Sequence, residues 1–171
     1  MFPPSHRGQR TEGISMTIPK TSRGYYRHRD DHSWMDPFSG ERVALHVTGS
    51  ETGGKFACGE ALLDPGAGQP LHIHHNIDEL LYVLEGEIDF ALEGTRFRSG
   101  PGGFVFVPQG SIHGFRNLSS APARMLGVFS PPHLDGMFEA MIGQTPHAFP
   151  TIAASFGVEI VGSMIEPITE R

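Results

Sequence analysis

Residues 66–86 read GAGQPLHIHHNIDELLYVLEG, and residues 102–117 read GGFVFVPQGSIHGFRN. His72 and His74 stand two apart on a strand-like run, so their side chains project from the same face. Glu79 opens the next run after the short polar loop His75-Asn76-Ile77-Asp78, and a hairpin there returns its carboxylate to the two imidazoles. In the second stretch Pro108-Gln109-Gly110 makes a turn, and His113 lies on the strand that follows. If both stretches are neighbours in one barrel, His113 points into the same interior.

Outward from these stretches, the chain from about Val43 is a series of short strand-like runs. They are VALHVTG, KFACGEALL, LHIHH, ELLYVLEG, EIDFALEG, TRFRSG, GFVFVP, IHGFRN and ARMLGVFS, punctuated by Gly, Pro, Asp and Gln turn residues. Close spacing and tight turns imply an antiparallel sandwich or barrel, and without a visible repeat there is one of them. After Pro131-Pro132 the period changes. Leu134, Met137, Phe138, Met141 and Ile142 form the stripe of an amphipathic helix that Gly143 is placed to end. A second short helix is expected from Pro150 to Phe156, stopped by Gly157. Both should pack on the outside of the barrel, where the first stripe offers one contact for a homodimer.

The 171 residues suit one domain, and 22 glycines with 14 prolines fit many tight turns better than a helical protein. A net charge of −6 argues against a nucleic-acid partner. The one cysteine, Cys58, forbids an intrachain disulfide, reads as a small buried hydrophobe and fits a reducing cytoplasm. No apolar run is long enough to span a membrane, and MFPPSHRGQR lacks the apolar core of a secretory signal, so a cytoplasmic location with no membrane partner is expected. Residues 1–24 are polar and without hydrophobic periodicity, as in a flexible arm, and Met16 is an alternative start. Six of the 13 Lys and Arg residues (Arg7, Arg10, Lys20, Arg23, Arg27, Arg29) crowd the first 29 positions, as in a solvated tail.

Three neutral imidazoles and a carboxylate suit one divalent Fe, Mn, Ni, Co or Zn ion better than Ca(II) or Cu(I). Burying these groups without an ion would leave polar atoms lacking partners. Any one such histidine by itself would read as a satisfied core residue; the joint spacing and the flanking glycines are what single out His72, His74, Glu79 and His113. His75, next to His74, should face the other way, and His46, His133 and His147 read as surface residues.

The first stretch resembles cupin motif 1, G-x5-H-x-H-x4-E-x6-G, on Gly66, His72, His74, Glu79 and Gly86. The second resembles cupin motif 2, G-x5-P-x-G-x2-H-x3-N, on Gly102, Pro108, Gly110, His113 and Asn117. This resemblance implies an all-β, jelly-roll-like conical barrel over residues 25–130 and a helical extension over 131–171. It also implies a metal held by the three histidines and the glutamate. HIHHNIDELLYVLEGEIDF, with a tail ending in FGVEIVG, resembles the small quercetin 2,3-dioxygenase-like bacterial cupins.

That likeness implies a dioxygenase in which the metal binds a flavonol- or diketone-like substrate, dioxygen is the partner, and Glu79 takes the substrate's hydroxyl proton. Leu81, Val83, Phe115, Ile88, Phe90, Phe104 and Phe106 are candidates for an apolar lining. The same four ligands would serve a non-oxidative isomerase, decarboxylase or lyase. A non-catalytic binding module is the remaining reading, although no helix-turn-helix segment is visible beside the barrel.

Overall fold

Alternating burial along the chain resolves into eleven strands in the computed structural model, which describes residues 24–167. Contacts divide the chain into two units, Met1–Asp31 and His32–Arg171. In the first, Arg29–Asp31 form a 3-10 turn and the Arg27 guanidinium lies 4.5 Å from the centre of the Tyr25 ring. The expected arm over residues 1–24, with Met16, Arg7, Arg10, Lys20 and Arg23, lies outside the described residues apart from Gly24.

The second unit begins with β1 (Met35–Phe38), β2 (Glu41–Val47), a single helical turn α1 (Gly49–Thr52) and β3 (Ala57–Leu63). The region of the two motifs supplies β4 (Gly68–His74), β5 (Asp78–Glu85), β6 (Ile88–Leu92), β7 (Thr95–Ser99), β8 (Phe104–Val107) and β9 (Ile112–Arg116). The chain ends through β10 (Ala123–Ser130), α2 (Leu134–Met141), a 3-10 turn, α3 (Phe149–Ser155) and β11 (Val158–Ile160). Two antiparallel sheets result, in the orders β1-β2-β3-β10-β5-β8 and β11-β4-β9-β6-β7. No ladder among the described residues joins the sheets, so the barrel expected from the sequence is a two-layered jelly roll and not a closed cylinder.

The apolar face of each strand turns toward the space between the layers. Leu63, Leu81, Val83, Ile88, Phe90, Val107 and Phe115 form one core, each side chain contributing about 1.5–3 kcal/mol on burial. A second core joins Val43, Ile77 and Phe129 to the α2 stripe Leu134, Met137, Phe138 and Met141. Expectation and structure part at β8. Phe104 and Phe106 are 59% and 50% exposed on the outer face, while Val105 and Val107 are buried. Register explains the difference, because Val107 pairs with Glu79 and Val105 with Leu81, and paired residues share a face.

The motif residues that are not metal-ligand candidates shape the turns. Gly86 has φ 73°, and a Cβ there would come within 2.7 Å of the Pro122 carbonyl oxygen and 2.8 Å of the Ala123 Cα, so backbone leaves no room for a side chain. Asn117 is fully buried and satisfied. Its amide donates to Leu63 O at 3.0 Å and Ala121 O at 2.8 Å, and its oxygen accepts from the Ser119 backbone and hydroxyl.

The tail departs from a purely helical extension. β11 pairs antiparallel with β4, Val158 opposite His74 and Ile160 opposite His72. Three residues with two exposed side chains carry little hydrophobic pattern, so this strand is fixed by backbone pairing.

Candidate metal centre

Four side chains from both layers meet in the interior. β4 presents His72 and His74, β9 presents His113 opposite His72, and β5 presents Glu79 from the facing sheet. All four are buried, and one ligand-capable atom from each lies within 4.8 Å of those of the others. That is about the span gathered by an ion with bonds of roughly 2.1 Å.

Hydrogen bonding orients the rings. His72 Nδ1–H donates to Pro70 O at 2.8 Å and His113 Nδ1–H to Ser111 O at 3.0 Å. These carbonyl acceptors assign the proton to Nδ1 in both neutral rings, leaving each Nε2 as a lone pair. His72 Nε2 lies 3.1 Å from His74 Nε2. His113 Nε2 and Glu79 Oε2 lie 3.0 Å apart, yet neither atom makes a hydrogen bond, and His74 Nδ1 also lacks a partner. Two electron-rich atoms facing each other in a water-poor interior are unfavourable unless a metal cation, or a proton on His113 Nε2, lies between them. The donor set, with three imidazoles and a carboxylate, fits a divalent transition metal on that ground.

The electrostatics of His72, His74 and Glu79 agree, and His113 responds to the carboxylate beside it. Burial, then the neighbouring imidazoles His113 and His74, push His72 down to about 3, so it stays neutral and able to ligate. Burial also lowers His74. Burial alone would raise Glu79, but His113 first and the other imidazoles outweigh it and hold the carboxyl at about 2. At His113 the Glu79 carboxylate outweighs burial, and the pKa rises.

His75, His46, His133 and His147 stay apart from the cluster. His75 is exposed and bonds Glu159 at 2.9 Å, His46 bonds Glu60 at 3.0 Å, and His133 and His147 are exposed. Cys58 is half-buried, and burial followed by the nearby Glu60 charge raises its thiol to about 11.

The cluster borders a cavity of about 310 Å³, lined by His72, His74 and Glu79 and otherwise mostly by apolar groups. Among the expected lining residues Leu81 and Phe115 reach this cavity. Val83, Ile88 and Phe90 fill the core, and Phe104 and Phe106 face outward. Leu134, Met137, Phe138 and Met141, expected on the outside of the barrel, form part of the cavity wall, with Phe149 and Ala153 of α3. A helical stripe reports that a surface is covered but not which surface. Glu41 and Gln69 also line the cavity and were not singled out from the sequence. The available signal was parity: in ERVALHV, Glu41 occupies the same face as Val43 and Leu45.

Residues 59–129 match the family model described as Cupin domain. Over 68 residues the chain is 35% identical to quercetin 2,3-dioxygenase of Bacillus subtilis, a match covering 40% of this chain and 19% of that protein. Among solved structures it resembles KdgF from Halomonas sp., at 25% identity with a TM-score of 0.58, over 63% of this chain and 94% of that one. It also resembles the polyketide cyclase RemF from Streptomyces resistomycificus, at 25% identity with a TM-score of 0.57, over 63% and 79% of the two chains. The chain spans about a fifth to just under two thirds of the length of the curated relatives it matches. No described helix is long and apolar enough to cross a membrane. Residues 59–129, which contain both histidine motifs, thus match the Cupin domain model, and the two facing antiparallel sheets that carry them resemble the fold of these structures.

Proposed function

We propose that His72, His74, Glu79 and His113 hold one divalent transition metal and that the chain is a metal-dependent dioxygenase of a small flavonol- or diketone-like molecule. The observation that carries this reading is the junction of a buried three-histidine, one-carboxylate cluster with an apolar cavity of about 310 Å³. A volume near the lower end of small-molecule pockets suits one compact substrate.

When bound, the metal supplies Lewis acidity toward an enolic oxygen and a site for reaction with dioxygen. The protein supplies the rest. Pro70 O and Ser111 O hold two of the rings in the ligating tautomer. Glu79, kept ionised by the imidazoles, accepts the hydroxyl proton of the incoming substrate. Leu81, Phe115 and Met125 exclude water and pack against an apolar ring. The likeness to the Bacillus subtilis dioxygenase supports the choice of substrate class. In an oxygen electrode, the metal-loaded protein should consume dioxygen with at least one member of a panel of flavonols and β-diketones. No consumption with any of them overturns the dioxygenase reading.

The likeness to RemF, together with Streptomyces relatives described as polyketide synthase proteins, favours a second reading in which the same centre polarises a carbonyl for non-oxidative cyclisation or isomerisation. Product formation under argon selects it over the first.

A further inference from the structure

Glu41 is a second carboxyl in the same cavity. It is 3% exposed, comes from β2 and faces β4 of the other sheet, where Gln69 Nε2 donates to its Oε2 at 2.6 Å. Among the described residues Gln69 is its side-chain hydrogen-bond partner, through Oε2, and no cationic side chain pairs with it. Gln69 lies three residues before His72 on the same strand, so the strand that bears two members of the cluster also aims this carboxyl. Both groups line one cavity. We propose that Glu41 is a substrate-contacting carboxylic acid, its O–H donating a hydrogen bond to an oxygen of the molecule whose other end sits at the histidine–glutamate cluster.

A buried carboxyl without a counter-charge favours its neutral form. Burial raises Glu41, the Gln69 hydrogen bond opposes this, and the negative Glu79 adds to it, leaving the group at about 7. A neutral acid can donate where a carboxylate only accepts. The cavity wall then carries two polar groups, the histidine–glutamate cluster and the Glu41 acid, in an otherwise mostly apolar lining, which selects a molecule with an acceptor oxygen beyond those that bind the metal. The inference rests on reading the cavity as the substrate site and adds to it the substrate's second anchoring point.

The test uses the full chain loaded with cobalt(II) under argon, with acetylacetone and quercetin as probes. Binding is followed by the cobalt absorption spectrum. Glu41→Leu should weaken quercetin, which has oxygens beyond its metal-binding end, about tenfold, the cost of an acceptor left unpaired, and leave acetylacetone, whose two oxygens both sit at that end, unchanged, while Glu41→Gln, whose amide still donates, stays within about threefold for quercetin. Cobalt content should be the same in all three proteins. In slightly acidic buffer the parent should show a protonated-carboxyl infrared band, absent in Glu41→Gln, that moves when quercetin is added.

Equal quercetin affinity in the parent and Glu41→Leu, or a carboxyl band that does not respond to quercetin, overturns the inference and leaves the dioxygenase proposal standing. Loss of cobalt from both variants also overturns it, since Glu41 would then only support the ligand strands. A tie between the sheets alone would lower thermal stability in both variants without moving the isotherm, a third overturning result. If neither probe perturbs the cobalt spectrum of the parent, the substrate reading falls and the inference falls with it.

Discussion

Two parts of the cavity wall are built by different rules. In one, His72, His74, Glu79 and His113 come from 42 consecutive residues (72–113), on strands whose turns are set by motif glycines. In the other, Glu41, Phe38 and the α2 stripe come from segments on either side of that block. The first part is held in place by backbone ladders and by ring-to-carbonyl hydrogen bonds. The second is apolar packing around one buried acid. The difference teaches that the reactive part depends on a compact stretch of chain, while the fit to a substrate depends on segments remote from it.

If the two parts are separable, changes at one should leave the other's readout alone. The largest effect belongs to His113→Ala. Losing an outer hydrogen-bond partner of a ligand costs about 10–100-fold in metal affinity, and losing the ligand itself should cost about a thousandfold. Elemental analysis after dialysis should find near one metal per chain in the parent and almost none in the variant. Next comes Phe138→Ala in the apolar wall. Phe138 is 7% exposed and its ring centre lies 5.9 Å from that of Phe129. The truncation should cost about 3–4 kcal/mol in urea denaturation while leaving metal content unchanged. Metal loss in this variant would break the comparison.

The Glu41 carboxyl gives a smaller, pH-dependent effect. Its folded pKa is about 7 against an ordinary 4.5, so the folded state binds the proton more tightly than the unfolded state. The stability it contributes is present below about 4.5 and is lost as pH rises to about 7. In chelator-treated protein the parent should therefore lose about 3 kcal/mol across that window relative to Glu41→Gln. A flat difference between the two denaturation series would count against a neutral Glu41. The smallest effect is on the outer face, which belongs to neither part. Phe104→Ser should change stability by no more than about 0.5 kcal/mol, whereas Val105→Ala, pointing inward from the adjacent position, should cost about 2 kcal/mol.

The reactive part was legible because its chemistry is tied to local rules. Alternation places His72 and His74 on one face, a four-residue loop returns Glu79, and a Pro-Gln-Gly turn precedes His113. Those rules also yield the strand runs and both helices. The apolar part was harder to read because each of its signals was ambiguous. FVFV is apolar at both parities, so the run is evident while its phase is not; pairing with Glu79 and Leu81 decides it. Glu41 is one acid on an otherwise apolar strand face, indistinguishable in sequence from a misread register until Gln69 meets it from the other sheet. The α2 stripe announces burial without naming the surface it covers, and β11 is too short to show a period.

β11 carries a consequence for handling and for quality control. It lies along β4, which is thereby flanked on both sides, by β9 and β11. Proteolytic nicking between α2 and α3, followed by release of the tail, would leave the His72–His74 strand at the rim of its sheet, its amides and carbonyls open to pairing with a second molecule. Clipped material should therefore self-associate, and the size of the soluble species would report an intact C-terminus before any assay of chemistry does.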